Sequence, residues 1–339
     1  SQNYRLYLPI FNWSKRMSQR GIAQKTRNDK EMTLRRAMVT RDYKMVWDLE
    51  KCVGCQMGPT VCPKEALTHI DGEIVNGHLV TRPSVDVDPK KCVNCGMCVV
   101  VCPTHAITMT INGKNEIPVQ KYEAFPELIA KTIFKKEDFD FSLKDYVIDN
   151  CSANVISYDE VRDTMRIDFS NCIHSRQCEI ASKGAFTVRQ PWQGSVVLHK
   201  ERCVEGCLAC ADICPTRALH VDENGKLILA DYYCIKCGSC MHVCPIKPES
   251  ETVEYEFESQ GLHLTRSYEK LVNENDLAIK VERWRVNHKP VSSAAWVEAL
   301  RKLSDDKAKM VEIDRTRALK RKDLIKALRG HIIPEKHIN

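Results

Sequence analysis

The stretch Cys92-Val-Asn-Cys-Gly-Met-Cys-Val-Val-Val-Cys102-Pro103 sets four thiols at steps of three, three and four, and closes on proline. Thiolates are soft ligands, and this spacing suits the corners of an iron–sulfur cubane. Structural zinc instead pairs two separated hooks of cysteine or histidine. Two further runs keep the steps: Cys203, Cys207, Cys210 and Cys214, with one extra residue in the first gap, and Cys234, Cys237, Cys240 and Cys244. A fourth run, Cys52, Cys55 and Cys62 before Pro63, has Gly58 at its third step. Two degenerate copies complete the series. In one, Cys172 and Cys178 flank Ser175, and Ser182 takes the fourth step; in the other, Cys151 ends a run whose earlier steps are Phe141, Lys144 and Val147.

Such loops need short elements to hold them. The pairs Ala66-Leu67, Ala106-Ile107 and Ala218-Leu219 follow three of the runs and lead into alternating stretches. Within the last of these, Asn224-Gly225 predicts a hairpin turn between two short strands. The repeating unit is thus a ligand loop, a helical turn, a hairpin and the next ligand loop. The longer gap between Cys62 and Cys92 predicts an enlarged hairpin through His69–Val80. The expected fold class is α+β: tandem two-cluster ferredoxin-like units, short hairpins and helical turns around iron–sulfur clusters, with a helical C-terminal extension. The expected boundaries are a basic N-terminal extension at 1–45, unit 1 at 46–122, a degenerate unit 2 at 123–197 that has lost one site, unit 3 at 198–250, and a cysteine-free docking extension at 251–339.

In two-cluster ferredoxins the fourth cysteine of each run ligates the cluster of the other run. Applied in order, that rule gives five metal sites. Three are complete: Cys62 with Cys92, Cys95 and Cys98; Cys203, Cys207 and Cys210 with Cys244; and Cys234, Cys237 and Cys240 with Cys214. Two hold three thiolates: Cys52 and Cys55 with Cys102, and Cys172 and Cys178 with Cys151. All 18 cysteines are used. A sixth site, at 141, 144, 147 and 182, has lost every thiol. Random decay would scatter losses over both sites of a unit, so Cys151 is explained by cross-ligation. The complete sites are expected to hold [4Fe-4S] clusters. Three states remain open for each three-thiolate site: a four-iron cluster with a non-cysteine ligand, a [3Fe-4S] cluster, or none. Beside the middle site Ser175 offers an oxygen and His174 an imidazole, and filling space is an equal reading of both.

The chain has 339 residues and a formal charge of +6, unevenly placed. Lysine and arginine crowd residues 1–40 and 311–330, which leaves the rest net acidic. No nucleic-acid recognition module accompanies the basic ends. No apolar stretch is long enough for a signal core or a membrane span, so a cytoplasmic chain with metal-bound cysteines is expected. No nucleotide loop and no catalytic constellation stands out. Trp296, Leu300 and Leu303 share a helical face, and a second helix is expected to end at Gly330; either helix could dock on a partner or on the ferredoxin units.

Beyond the ligand runs, the segments His199–Val221, Leu229–Glu249, Ser292–Leu303 and Ile313–Gly330 resemble the polyferredoxin subunits of formylmethanofuran dehydrogenases from archaea. The fullest members of that family resemble four complete two-cluster units, so this chain makes a shorter or interrupted series. The resemblance implies a non-catalytic electron-transfer subunit. Its partners would be a tungsten- or molybdenum-pterin subunit that interconverts CO2 and formate, an amidohydrolase-like subunit that joins formate to methanofuran, a small ferredoxin-like subunit, and an external ferredoxin or other carrier. Competing readings are a polyferredoxin of a hydrogenase, formate dehydrogenase or heterodisulfide reductase, and a structural adaptor whose clusters only staple small domains.

Overall fold

A computed structural model describes residues 21–38, 40–121, 130–247 and 261–264, with the backbone of 267–268, 284–286 and 289–291. The chain begins there with three antiparallel strands, β1 (Ile22–Arg27), β2 (Glu31–Ala37) and β3 (Asp42–Asp48). They form one sheet with β8 (Ile107–Ile111) and β9 (Lys114–Asn115), in the order β1-β2-β3-β8-β9. Alternation places Met32, Leu34, Tyr43, Met45 and Trp47 on the buried face, and charged residues such as Arg35 and Lys44, which lie opposite each other, on the other. This corrects the expected boundary at 45. Residues 22–37 are strands of the sheet on which unit 1 is built, with Arg35 and Lys44 on its outer face and Lys25 and Arg27 turned toward the strand Ser84–Val87, so that part of the segment is no extension.

Between β3 and β8 lie both ligand loops of unit 1. Each contains a five-residue helix, α1 (Met57–Val61) and α2 (Met97–Val101), that ends just before the fourth-step cysteine. The helical turn therefore lies inside the run and not after it. Met57 and Met97 are buried against the sheet's apolar face. The enlarged hairpin is present as two nested pairs. Strands β4 (Leu67–Ile70) and β7 (Ser84–Val87) form the base; β5 (Glu73–Val75) and β6 (His78–Thr81) form the tip. Asn76 and Gly77 both have positive φ, as a two-residue primed turn requires. A short helix α3 (Pro118–Lys121) follows β9.

Unit 2 pairs β10 (Lys131–Phe134) with β13 (Phe186–Arg189), and β11 (Ile156–Asp159) with β12 (Thr164–Ile167). Its helices are α4 (Lys144–Asp149) and α5 (Gln177–Ala181). Unit 3 carries α6 (Ala209–Ile213), the hairpin β16–β17 (Leu219–Val221, Leu227–Leu229) and α7 (Ser239–Val243). The turn at Asn224-Gly225 is longer than a two-residue hairpin. Only Gly225 has positive φ, and the Asp222 carboxylate accepts from the Asn224 and Lys226 amides at 3.0 and 2.8 Å.

Unit 3 also reaches past its expected end. Strands β14 (Trp192–Gln193) and β15 (Val196–Leu198) precede it, and β15 pairs with β18 (Leu262–Leu264). Leu262 and Leu264 are 1% exposed, in one core with Val196, Leu219 and Met241. Residues 261–264 thus belong to the unit, because its strand edge would otherwise lack a partner. Trp192 packs into the core of unit 1. The helices expected around Trp296 and before Gly330 lie outside the described residues.

Unit 1 sits directly on unit 3 through the hairpin tip. The Leu208 amide donates to Gly77 O at 2.7 Å, and Asp212 accepts from the Leu79 amide at 2.9 Å and faces His78 at 3.1 Å. A Cβ on Gly77 would lie 2.2 Å from Gly206 O, in a backbone with φ +80°. Gly77→Ala is therefore expected to destabilise this contact by more than the ~1–2 kcal/mol that a left-handed backbone alone imposes. Hydrogen exchange at Leu208 would accelerate; unchanged protection of that amide would refute the docking.

Candidate metal centres

Four of the five ligand loops share one backbone device, and the Cys203 loop keeps only its first half, at Gly206. Left-handed residues flank the second ligand step: Gly54 and Gln56 about Cys55, Asn94 and Gly96 about Cys95, His174 and Arg176 about Ser175, Lys236 and Gly238 about Cys237. Alternating left- and right-handed residues turn successive N–H groups toward a common centre. Accordingly the Asn94 amide faces Cys92 Sγ at 3.5 Å and the Lys236 amide faces Cys234 Sγ at 3.3 Å. Four of the five fourth-step sulfurs have their own amide donor: Ala66 to Cys62 and Ala106 to Cys102 at 3.2 Å, Val155 to Cys151 at 3.4 Å, and Leu219 to Cys214 at 3.5 Å. Ser182 keeps the pattern with oxygen, accepting from the Phe186 amide at 3.0 Å.

The thiols gather across runs. Cys62 lines one cavity with Cys92, Cys95 and Cys98. Cys244 lines another with Cys203, Cys207 and Cys210. Cys151 lines a third with Cys172 and Cys178. Burial pushes up the thiols of Cys52 and Cys55, and Cys102 adds to both. Burial likewise raises Cys240, with Cys237, Cys234 and Cys214 adding to it. Burial holds Cys92 up at about 11, and Cys95, Cys178, Cys210 and Cys234 at about 12. Such thiols stay neutral at pH 7 until a cation replaces the proton, so loading these sites releases protons. Among the described residues no three His, Cys, Asp or Glu side chains converge closely enough for a single ion. The sulfurs ring a space instead, which is the arrangement that a polynuclear iron–sulfur group fits.

The incomplete sites differ in kind. Gly58 is the second residue of α1, as Cys98 is of α2 and Cys240 of α7. A Cβ there would meet only Leu67 Cδ1 at 3.4 Å and Cys98 Cβ at 3.5 Å, ordinary contacts that leave room for a side chain. Where the sequence leads one to expect the lost sixth site, no ligand-type loop is found. Residues 141–149 form a 3-10 turn followed by α4, Val147 is fully buried, and Phe134, Phe139, Phe141 and Phe186 stack edge-on or tilted with centroids 4.7–6.2 Å apart. This region is packed with aromatic side chains.

Several neighbours of the sulfurs were not legible as site residues. Arg36, on β2, is 7% exposed and donates to Asn94 Oδ1 at 3.0 Å and Cys92 O at 3.1 Å, which puts a buried cation beside the Cys92 loop. Lys236, 5% exposed, bonds Asp231 at 2.6 Å and lowers the Cys234 thiol against the larger effect of burial. A Cβ on Gly261 would lie 3.5 Å from both Cys203 Sγ and Cys244 Sγ. Alternating hydropathy over Glu31–Asp48 is a signal that could have brought Arg36 into the first unit; Gly261 carried none.

Comparison with known proteins agrees with this chemistry. Residues 85–108 match the 4Fe-4S binding domain family, and residues 190–248 the 4Fe-4S dicluster domain family. Over 79 residues the chain is 37% identical to pyruvate synthase subunit PorD of Thermotoga maritima, covering 22% of this chain and 73% of that one. The chain belongs to the 4Fe-4S ferredoxin family. This ferredoxin is also 46% identical, over 39 residues, to the polyferredoxin-like subunit of aliphatic sulfonate oxidoreductase from Pyrococcus furiosus, covering 11% and 22% of the two chains. Its fold is similar to that of a chain in the formate dehydrogenase–heterodisulfide reductase–formylmethanofuran dehydrogenase complex of Methanospirillum hungatei (TM-score 0.59, 22% identity, 74% of this chain and 86% of that one). It is therefore an iron–sulfur electron-transfer polyferredoxin whose cofactors are [4Fe-4S] clusters. Among the described residues no helix is long and apolar enough to cross a membrane.

Gly58→Cys is expected to supply the missing thiolate beside Cys52, Cys55 and Cys102. Under mild anaerobic oxidation the wild-type protein should form more three-iron cluster than the variant, by about one spin per chain in quantified EPR. Equal yields would show that position 58 does not face that site.

Proposed function

We propose that this polyferredoxin is the electron-relay subunit of a formylmethanofuran dehydrogenase-like complex. It would carry low-potential electrons to or from a tungsten- or molybdenum-pterin subunit that interconverts CO2 and formate, with an amidohydrolase-like subunit and a small ferredoxin-like subunit beside it. An external ferredoxin or similar carrier in the cytoplasm would be the other terminus. We assign five clusters to the chain, on the four-thiolate sets of Cys62/92/95/98, Cys203/207/210/244 and Cys214/234/237/240 and the three-thiolate sets of Cys52/55/102 and Cys151/172/178. The chain itself contributes no catalytic site to this reading.

The observation that carries the relay is the gathering of thiols across runs, continued across units. Cys237 of unit 3 adds to the burial that raises Cys55 of unit 1. Val53, Ala209, Ile213 and Val243 close the space around that junction as one apolar cluster, which also contacts Cys55 and Cys207. A bound cluster takes up or gives off one electron with little rearrangement. The protein's part is to bury it, exclude water and set its potential. Inward amides, Arg36 beside Cys92 and Lys236 beside Cys234 favour the more negative, reduced state at their sites. A structural adaptor would not require sites packed against one another across units. The family resemblance of the cysteine-free C-terminal segments and the fold likeness to a chain of the Methanospirillum complex favour the formylmethanofuran branch. That complex also contains formate dehydrogenase and heterodisulfide reductase, so a relay serving either is the second reading.

Potentiometric EPR titration of the anaerobically prepared full chain tests the relay. Clusters are expected to reduce near the ferredoxin range, roughly −400 mV. Lys236→Met should shift one of them to lower potential and leave the others in place, because a buried positive charge is lost beside a single site. Clusters that accept no electron anywhere in that range would end the relay reading.

A further inference from the structure

We propose that the second unit still binds a cluster, and that the Ser175 hydroxyl is the oxygen ligand at its fourth corner. The inference deepens the relay assignment by filling one of its two incomplete sites, and it rests on that assignment.

The first argument is the backbone. His174 and Arg176 have φ of +56° and +65°, left-handed values that exclude no residue type but disfavour both of these by about 1–2 kcal/mol each. Neither is glycine, and neither is forced into that conformation by a two-residue hairpin. They reproduce Asn94 and Gly96 about Cys95, and Lys236 and Gly238 about Cys237. The neighbouring sixth site shows the alternative: with its thiols gone, its loop has become 3-10 and α-helix. Strain of this kind persists where a site over-determines it. The chain has given up the ligand loop where no thiol remains and kept it where two of the loop's three do.

The second argument is the cavity. Cys151, Cys172, Cys178 and Ser175 line a space of about 20 Å3, the volume also found inside the two four-thiol rings of Cys62/92/95/98 and Cys203/207/210/244. A site emptied of its cluster would be expected to collapse, as the aromatic filling of the sixth site illustrates.

The third argument is the direction of the hydroxyl. Ser175 Oγ donates to Gln177 Oε1, two residues on, at 3.2 Å. The second-step thiol Cys237 contacts Ser239 Oγ, also two residues on, at 3.3 Å. The side chains at the second step therefore leave the backbone alike. Gln177 is 9% exposed and its amide is fixed at both ends: Nε2 donates to Thr216 O of unit 3 at 2.7 Å, and Oε1 also accepts from the Ser152 amide at 3.1 Å. With its hydrogen committed to Gln177, Ser175 Oγ offers its lone pairs to the cavity. Binding forms one dative O–Fe bond; no bond breaks and no proton leaves.

His174 is the rival ligand, and its Nδ1 is already engaged. It lies 2.9 Å from Thr132 Oγ1 and 3.8 Å from Cys172 Sγ, and Thr132 Oγ1 itself lies 3.5 Å from that sulfur. The corresponding side chains Asn94 and Lys236 turn to Arg36 and Asp231, away from their thiol rings. His174 and Thr132 are thus outer partners that orient Cys172. An oxygen is a harder and weaker partner for iron here than a thiolate, so this corner exchanges its iron more readily than a four-thiolate site.

The test uses the full chain carrying Gly58→Cys, so that the first unit's gap does not contribute, with Ser175→Ala, Ser175→Thr and His174→Gln added singly. Iron content, Mössbauer spectra and the yield of three-iron EPR signal are read during mild oxidation. The parent is expected to hold four irons at the middle site and to lose one on oxidation. Ser175→Ala should carry the three-iron form before any oxidant, and Ser175→Thr should restore the parent's behaviour. An unchanged iron count at the other four sites excludes general unfolding. Identical iron loss in parent and Ser175→Ala would overturn the proposal. So would a nitrogen hyperfine coupling at this cluster that His174→Gln removes, or a middle site whose iron is the same with and without Cys178→Ala. None of these outcomes would touch the relay, which stands on reduction of the remaining clusters.

Discussion

The rest of the molecule depends on a division of thiols: the three sulfurs of Cys92, Cys95 and Cys98 meet Cys62 of another run, and those of Cys203, Cys207 and Cys210 meet Cys244. A run of a dozen residues cannot form such a ring alone, so two loops must approach with their fourth-step cysteines crossed. Metal binding supplies folding energy to small units of this kind in addition to their apolar cores. Short helices that end just before the crossing cysteine, and hairpins that carry the chain from one loop to the next, are what this constraint leaves available.

The same constraint explains how the copies have diverged. Losing the third-step thiol at Gly58 weakens one ring but leaves its neighbour complete, because Cys62 serves the other side. Losing three thiols of one loop and the crossing thiol of the other, where Ser182 now stands, empties a single ring. Packing can then close over it, as Phe139, Val147 and Phe186 have done. The three units are also not arranged as a simple string. The tip of the first unit's hairpin bonds to Leu208 and Asp212 of the third, while Gln177 and His105 tie the second to both of its neighbours. The first and third units thus meet directly, and the degenerate unit lies beside their junction.

Much of this was legible in the residues because sulfur spacing is stringent. The ligand loops, the gathering of thiols across runs and the enlarged hairpin all follow from positions of cysteine. What escaped lay outside that code. The strands β1–β3 alternate correctly, yet their exposed arginines and lysines read as a basic tail. Leu262 and Leu264 close the third unit from a segment with no cysteine to mark it. The turn at Asn224-Gly225 is longer than its dipeptide suggests because Asp222 holds the amides on its far side. Left-handed residues such as His174 and Arg176 have no composition signal.

Five rings in one chain are expected to be occupied. Iron and sulfide should be counted per polypeptide after anaerobic preparation, with the concentration fixed by amino-acid analysis. Between about 18 and 20 irons are expected per chain, with sulfide to match, the shortfall from 20 reflecting the two corners without thiolate. A count of about 12 would leave only the three four-thiolate rings loaded and would contradict that expectation.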